Sequence, residues 1–221
     1  MSQGYRGRLA PTGVNALPSI AMLDHVFTDA IGALRDAFSN AFLERQAFEE
    51  HLQSDVLLGD LVWETSYGLP GEGTPPRVVA HITFSWPSWS QALYRSWYVE
   101  GVMLERPAID IEVVFRVQRL ADQPQPNVVE AIAVQESPAI GDGKLERDNV
   151  TIEICHSLAT TTDYAIEMTY GGQYELNEET LQDGSSAVLD EHFGALGGWV
   201  ASTLVKLGDL RLSFLPAEEN S

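Results

Sequence analysis

The sequence of 221 residues contains one cysteine, Cys155, and only 13 basic residues against 32 acidic ones. A single cysteine cannot form an internal disulfide or a zinc site built on paired cysteines, and it suits a reducing compartment. The net charge of −19 at pH 7 repels phosphate backbones and anionic lipids, which disfavours nucleic-acid and membrane binding. The charge either serves solubility or attracts a basic peptide or protein.

Long apolar runs are also missing. No stretch approaches the roughly 20 apolar residues that span a bilayer. Residues 1–18 include Arg6 and Arg8 but lack the continuous apolar region of a secretory signal. We therefore expect a cytoplasmic protein with flexible tails at residues 1–18 and 216–221.

Catalytic signatures are absent from the sequence. It has no GxxxxGKS/T phosphate loop, no GxGxxG after a strand, no GxSxG nucleophile elbow and no HExxH pair. Cys155 and His156 are adjacent, but on a predicted strand they point to opposite faces and cannot act together as nucleophile and base. The run Asp-Glu-His at 190–192 diverges around a predicted helix, which favours a solvated face over a metal site. We expect no catalytic residue, no metal and no cofactor.

Apolar residues nevertheless make up 44% of the chain, which is enough for a core. After Pro18 they recur every three or four positions, as on one helical face, and Ser19 is a candidate N-cap. This pattern predicts a long N-terminal helix from Ser19 to about Leu52. The predicted stripe consists of Ile20, Leu23, Phe27, Ile31, Leu34, Phe38 and Phe42.

Runs of β-branched and aromatic residues between turn formers indicate strands. They form three predicted hairpins: 55–67 with 77–86, 109–119 with 127–135, and 149–157 with 163–170. A shift of fifty residues aligns five identical residues of the first two pairs. Segments 55–87 and 105–137 are therefore either a duplicated hairpin or two hairpins with the same turn chemistry.

Two further helices are predicted. The first covers residues 88–101, where Ser88 and Gln91 could form a capping box and Gly101 could end the helix. The second runs from Ser186 to Leu207 and ends at Gly208. Its predicted buried stripe consists of Leu189, Phe193, Leu196, Val200, Leu204 and Leu207.

The C-terminal helix also contains Gly194 and Gly198, which would permit close packing on the chain's own sheet or on another helix. Residues 209–215 alternate apolar and polar residues and predict a last strand. The order of elements predicts an α+β fold: one domain over 19–215 with a long N-terminal helix, an antiparallel hairpin-rich sheet, a C-terminal helix and a final strand.

The candidate binding surface is the aromatic run between Phe84 and Tyr98, because interfaces are enriched in aromatic residues. Ile82, Phe84 and Trp86 share one face of a predicted strand, which fits the core. The candidate partner-binding residues are Trp86, Trp89, Tyr94, Trp97 and Tyr98, although the whole run could instead pack in the core. The sheet edges offer a second route, since they can accept an extended peptide as another strand.

The layout resembles a known class of proteins. A long N-terminal helix leads into LLGDLVWE at 57–64, and an acidic, cysteine-poor, hairpin-rich body follows. This order resembles that of the non-catalytic scaffold proteins that hold precursor peptides in bacterial ribosomal-peptide maturation, those of crocagin-type pathways among them. The resemblance is one of layout over most of the chain, so it transfers no functional residue. It implies a dimeric peptide-binding scaffold that acts beside an enzyme.

These patterns favour a non-enzymatic binding or scaffold protein for a peptide or protein partner, a basic one included, and a homodimer is one expected state. Two alternatives remain at the level of sequence. One is a structural subunit of a phage or injection-type assembly. The other is an enzyme whose site is assembled from residues distant in sequence.

Overall fold

The computed structural model describes residues 32, 36, 48–57, 60–69, 75–101, 105–156, 162–177, 180 and 186–216. The strands are β1 (Phe48–Leu57), β2 (Asp60–Gly68), β3 (Val78–Trp86), β4 (Ala108–Leu120), β5 (Glu146–His156) and β6 (Thr162–Glu175). The helices that follow β1 are α1 (Ser88–Glu100), α2 (Pro126–Glu130) and α3 (Ser186–Gly208).

The strands form one antiparallel sheet in the order β1-β2-β3-β4-β6-β5. Helix α1 connects the neighbouring strands β3 and β4. After β4 the chain passes through α2 to the outside of the sheet, runs along β5, and returns as β6 between β4 and β5. Strand β5 therefore lies at one end of the sheet, and β1 lies at the other.

Alternating side chains decide which face of the sheet is buried. In β3, Ala80, Ile82 and Phe84 point to the buried face, while the polar His81 and Thr83 between them are only partly buried on the other face. Strand β4 repeats this alternation from Ile109 to Val117. Because side chains alternate with a period of two, one sheet face is apolar and the opposite face is polar.

Helix α3 covers the apolar face. All six residues of its predicted stripe, from Leu189 to Leu207, are fully buried. Phe193 packs edge-on against Phe84, with ring centroids 5.4 Å apart, and Trp199 packs edge-on against Phe115 at 5.4 Å. Tyr170 and Tyr174 of β6 also pack edge-on against Trp199 and Phe193, so the core lies between α3 and strands β3, β4 and β6.

A buried arginine bonds the C-terminal end of β4 to two neighbouring segments. Arg119 has a left-handed backbone (φ 61°), and its guanidinium donates hydrogen bonds to the Pro75 and Leu215 carbonyls, each at 2.8 Å. The Leu215 amide donates back to the Arg119 carbonyl at 2.8 Å. Arg119 thus holds both the segment before β3 and the segment after α3 against the sheet.

The mixed helix and strand content and the antiparallel sheet confirm the α+β prediction. The predicted helices 88–101 and 186–207 are confirmed as α1 and α3. Most of the predicted N-terminal helix lies outside the described residues. Its predicted end is wrong, because residues 48–52 belong to β1 and pair with β2. The helical spacing of apolar residues stops at Phe42, so no apolar stripe supported extending the predicted helix to Leu52.

The predicted strand 127–135 is wrong. Pro126 begins the short helix α2, and turns follow it to Ala133. Val129 and Ala133 are both fully buried, and their spacing of four is helical although the apolar pattern is that of a strand. Segment 105–137 is therefore not a hairpin like the first one, since its second half does not pair as β3 does.

The predicted last strand, 209–215, is also wrong. Leu210, Leu212 and Phe214 pack partly buried against the core, as their alternation suggests, but they form only one bridge, between Phe214 and Leu120. In this antiparallel pairing residues 209–213 would lie opposite residues 121–125, beyond the end of β4 at Leu120, so the bridge does not continue as a ladder.

Gly194 and Gly198 do not pack closely on the sheet. A Cβ atom built on either glycine would meet nothing within 4 Å, and Gly198 is exposed. The expected close approach to the chain's own sheet is therefore wrong for these positions. Among the described residues, no helix is both long and apolar enough to cross a membrane.

Candidate interaction surface

A buried serine positions α1 on the sheet. Ser90 is fully buried, and its Oγ accepts hydrogen bonds from the Trp86 indole N–H at 3.1 Å and from the Ala108 amide at 2.7 Å. The same hydroxyl donates to the Ala108 carbonyl at 2.7 Å. One side chain therefore connects the end of β3, the start of α1 and the start of β4.

The residues on either side of this anchor hold the first turn of α1. The Ser88 amide donates to Asp60 Oδ1 at 2.6 Å, and the Gln91 side-chain amide donates to the Trp86 carbonyl at 2.9 Å. The predicted capping box is wrong, because the N-cap residue is Pro87, whose side chain has no hydrogen-bonding group. The carboxylate of Asp60 on β2 instead accepts the hydrogen bond of the first amide of the helix. An acidic partner is favourable there because amide dipoles point out of a helix N-terminus.

The other end of α1 matches the sequence prediction. Gly101 adopts a left-handed backbone with φ 68°, and its amide donates to the Trp97 carbonyl at 2.8 Å. Glycine suits this position because other residues pay a steric cost there. The helix is thus held at both of its ends.

Trp89 lies between the two anchored residues Ser88 and Ser90 and is 50% exposed. Among the described residues, the exposed large apolar side chains are Trp89, Val128, Val134 and Ile154, of which Trp89 is the aromatic one. Its backbone is held by neighbours on both sides, so the indole is presented from a rigid turn. A rigid, half-exposed tryptophan is the kind of side chain that anchors protein interfaces.

The five residues predicted to bind a partner have different surroundings. Trp86 and Tyr94 are each only 1% exposed, and their rings meet edge-on at 5.7 Å. Trp97 is partly buried against the same core and lies 6.0 Å from Tyr94. The side chain of Tyr98 lies outside the described residues. A partner could therefore reach Trp89 and part of Trp97, whereas Trp86 and Tyr94 belong to the core.

The polar face of the sheet is acidic. Its outward positions include Glu64, Asp110, Glu112, Glu153 and Glu167. Two of them contact the arginine Arg116 on the same face, which donates to Glu167 at 2.9 Å and to Glu153 at 2.6 Å. Burial lowers the pKa of Arg116, but the hydrogen bonds and charges of the two glutamates outweigh it and raise the pKa overall. The surplus of carboxylates makes this face unfavourable for an anionic partner.

A second polar network fastens the loop after α2. Tyr170 donates from its hydroxyl to the Val134 carbonyl at 2.7 Å, and Arg147 donates to the Ala133 carbonyl at 2.8 Å. Burial raises the pKa of Tyr170 to about 12, although the charge of Arg147 opposes the shift. This arrangement stabilises the loop, because both hydrogen bonds hold its carbonyl groups against β5 and β6.

The two constellations considered for chemistry are not assembled. Cys155 is partly buried and lies next to His156 on β5, as expected for a strand. At 190–192 the aspartate and glutamate are exposed, while His192 is partly buried and its Nδ1 lies 2.8 Å from the Tyr174 hydroxyl. His192 thus belongs to a packing contact and not to a fully solvated face. In the part of the chain that the structure describes, no group of three or more His, Cys, Asp or Glu residues could hold a metal.

No pattern in the sequence indicated the roles of Ser90 and Asp60, because both act through contacts with residues from other elements. Gln91 stood out only as part of the predicted capping box, and its side chain bonds the Trp86 carbonyl instead. Comparison with protein families, with curated proteins and with solved structures finds no match to this chain.

Proposed function

We propose that the chain is a non-enzymatic binding protein that holds a peptide or protein partner, with Trp89 as the anchor. The observation that carries the proposal is the half-exposed indole of Trp89 at the start of α1, between Ser88, whose amide bonds Asp60, and Ser90, whose hydroxyl bonds Ala108. A rigid anchor loses little conformational entropy on binding, so more of its contact energy appears as affinity. The resemblance to crocagin-type scaffold proteins favours a peptide held beside a modifying enzyme.

The charge of the chain indicates the chemistry of the partner. With a net charge of −19 and an acidic sheet face, the chain favours a basic peptide or protein segment. The Trp89 indole suits such a partner, because lysine and arginine cations stack favourably over a tryptophan ring. The binding is therefore expected to weaken as salt screens the charges.

The contribution of Trp89 can be sized from its exposure. The exposed half of a tryptophan amounts to roughly 100 Å² of apolar surface, and covering it is worth about 2.5 kcal/mol. Replacing Trp89 with alanine should therefore weaken a bound partner by about 70-fold.

The experiment selects basic and neutral peptides from a random displayed library on the purified protein and measures their affinities by fluorescence anisotropy. Trp89→Ala is compared with Val128→Ala, which shortens another exposed apolar side chain away from α1. Selected peptides should lose affinity only in Trp89→Ala, with unfolding curves of both variants confirming an intact fold. Equal affinity for wild type and Trp89→Ala would refute the role of this surface. Trp97→Ala is a poorer probe, because Trp97 also packs against the core.

A further inference from the structure

Strand β5 ends the sheet, and within the part of the chain that the structure describes only its first residues are covered on the outer side. The Ser137 amide donates to the Leu145 carbonyl at 2.9 Å, and the Arg147 amide donates to the Gln135 carbonyl at 2.8 Å. Beyond Arg147, no described residue forms a hydrogen bond with the outer edge of β5. The open stretch from Asn149 to His156 is about 25 Å long at the usual rise of a strand.

This open edge lacks most of the features that keep strand edges apart. Asp148–His156 contains neither proline nor lysine, which often prevent edge strands from pairing with other chains. The features that oppose such pairing here are a register shift after Arg147 and the charge of Glu153 on the polar face. Val150 and Ile152 face the core side and are partly buried, whereas Ile154, on the same side, is 58% exposed. An open, β-branched edge with an exposed isoleucine is a surface for pairing with another strand.

The order of residues in β5 is self-complementary about Ile152. In an antiparallel pair of two β5 strands centred there, Ile152 lies opposite Ile152 of the second copy and Val150 lies opposite Ile154. On the polar face, Thr151 lies opposite Glu153. Apolar side chains meet apolar ones, each glutamate meets a threonine, and the exposed Ile154 of each copy is covered.

Other registers are less favourable. A pair centred on Glu153 places two glutamates directly opposite each other, which is destabilising. A pair centred on Thr151 places Ile154 opposite Asp148. A centre between two residues would place apolar inner side chains opposite polar outer ones. The centre at Ile152 is the one among these that matches both faces.

From this match we infer that a second copy of this chain binds at the β5 edge, which joins two sheets into one through antiparallel β5 pairing about a two-fold axis at Ile152. The inference is independent of the partner proposed for Trp89, which lies on α1 after β3. Each copy carries a charge of −19, but Glu153, the carboxylate nearest the two-fold axis, is paired at 2.6 Å with Arg116, which it shares with Glu167. The remaining repulsion is long-range, so added salt should tighten the dimer.

The first test changes the charge at Thr151, opposite Glu153 of the second copy, and measures the dimer dissociation constant of the full chain by sedimentation velocity. Thr151→Lys should tighten the dimer by about tenfold, because two opposite-charge pairs form, and Thr151→Glu should weaken it by about tenfold. A dimer that responds equally to both substitutions, or to neither, overturns the register.

The second test removes the apolar contact. Ile154→Lys changes an exposed side chain, so the fold should persist while the dimer dissociates. The matched control is Ala92→Lys, which adds the same charge at an exposed position of α1. A wild-type chain that stays monomeric at high concentration, or an Ile154→Lys variant that stays dimeric, overturns the inference.

The third test reports the register directly. In a Cys155→Ser background, Ile152→Cys places two thiols directly opposite each other, at a Cα separation near 5.5 Å that a disulfide can bridge. The control is the wild-type chain. In the proposed register its Cys155 lies opposite Asn149 and about 20 Å from Cys155 of the second copy, so mild oxidation should not cross-link it. Cross-linking of the wild type without cross-linking of Ile152→Cys overturns the register.

Discussion

Replacing Ser90 with alanine is expected to destabilise the attachment of α1 to the sheet. The substitution removes the oxygen that accepts from the Trp86 indole and from the Ala108 amide, and that donates to the Ala108 carbonyl. Ser90 is fully buried, so water cannot easily replace the lost hydroxyl. Three polar groups therefore lose a partner in one place.

The size of the effect follows from these three bonds. A hydrogen bond is worth about 1 kcal/mol net, and a buried group left unpaired costs about 1–3 kcal/mol. We expect Ser90→Ala to lower the free energy of unfolding by about 3 kcal/mol, from which the better helix propensity of alanine subtracts about 0.5 kcal/mol. In a domain of this size, that loss corresponds to a Tm lower by roughly 5–10 °C.

The assay is urea unfolding followed by circular dichroism on wild type, Ser90→Ala and Ser96→Ala. Ser96 is exposed on the same helix, so its substitution reports the propensity gain without the buried bonds. Ser90→Ala should therefore fall well below Ser96→Ala in unfolding free energy. A difference of less than about 1 kcal/mol between them would refute the idea that the buried hydroxyl positions α1.

Two further predictions concern the other polar networks. A lysine at position 119 cannot bond the Pro75 and Leu215 carbonyls together, so Arg119→Lys should lower the free energy of unfolding by about 2 kcal/mol. Hydrogen exchange at the Leu215 amide should become faster, and unchanged exchange there would contradict this role of Arg119. For Tyr170 the folded pKa of about 12 exceeds the reference value of 10.0, so the unfolded chain loses this proton first as pH rises. Stability from this group should be intact below pH 10 and fall by about 2–3 kcal/mol as the pH approaches 12. Tyr170→Phe should remove this part of the pH dependence in urea unfolding, and an identical slope in both proteins would show that Tyr170 is not its source.

The aromatic segment shows where sequence reasoning about the site reached its limit. The sequence made Trp86, Trp89, Tyr94, Trp97 and Tyr98 candidates for partner binding, yet Trp86 and Tyr94 are buried. Aromatic residues occur on more than one face of α1, so helical periodicity does not tell which face turns inward. The buried bonds of Ser90 set that rotation, and Tyr94, four residues later, shares the inward face. Trp89 then points outward.

Short-range patterns were sufficient where one periodicity was strong and unbroken. The alternation in β3 predicted that Ile82, Phe84 and Trp86 face the core. The spacing of apolar residues predicted the buried face of α3, and the end of that helix was predicted to within one residue. The strand predicted at residues 127–135 was wrong because Pro126 and the burial of Val129 and Ala133 favour a helical turn over an equally apolar strand.

The sequence by itself therefore determined the α+β class, the identity of most strands and the two helices α1 and α3, because each depends on contacts within a few residues of the chain. The tertiary structure decided which strand lies at the open edge, which aromatic side chain faces solvent and which buried polar groups hold the elements together. These properties depend on residues distant in sequence, such as Asp60 with Ser88 and Arg119 with Leu215. A short sequence pattern cannot predict such hydrogen bonds, because any donor can pair with any acceptor that the fold brings next to it.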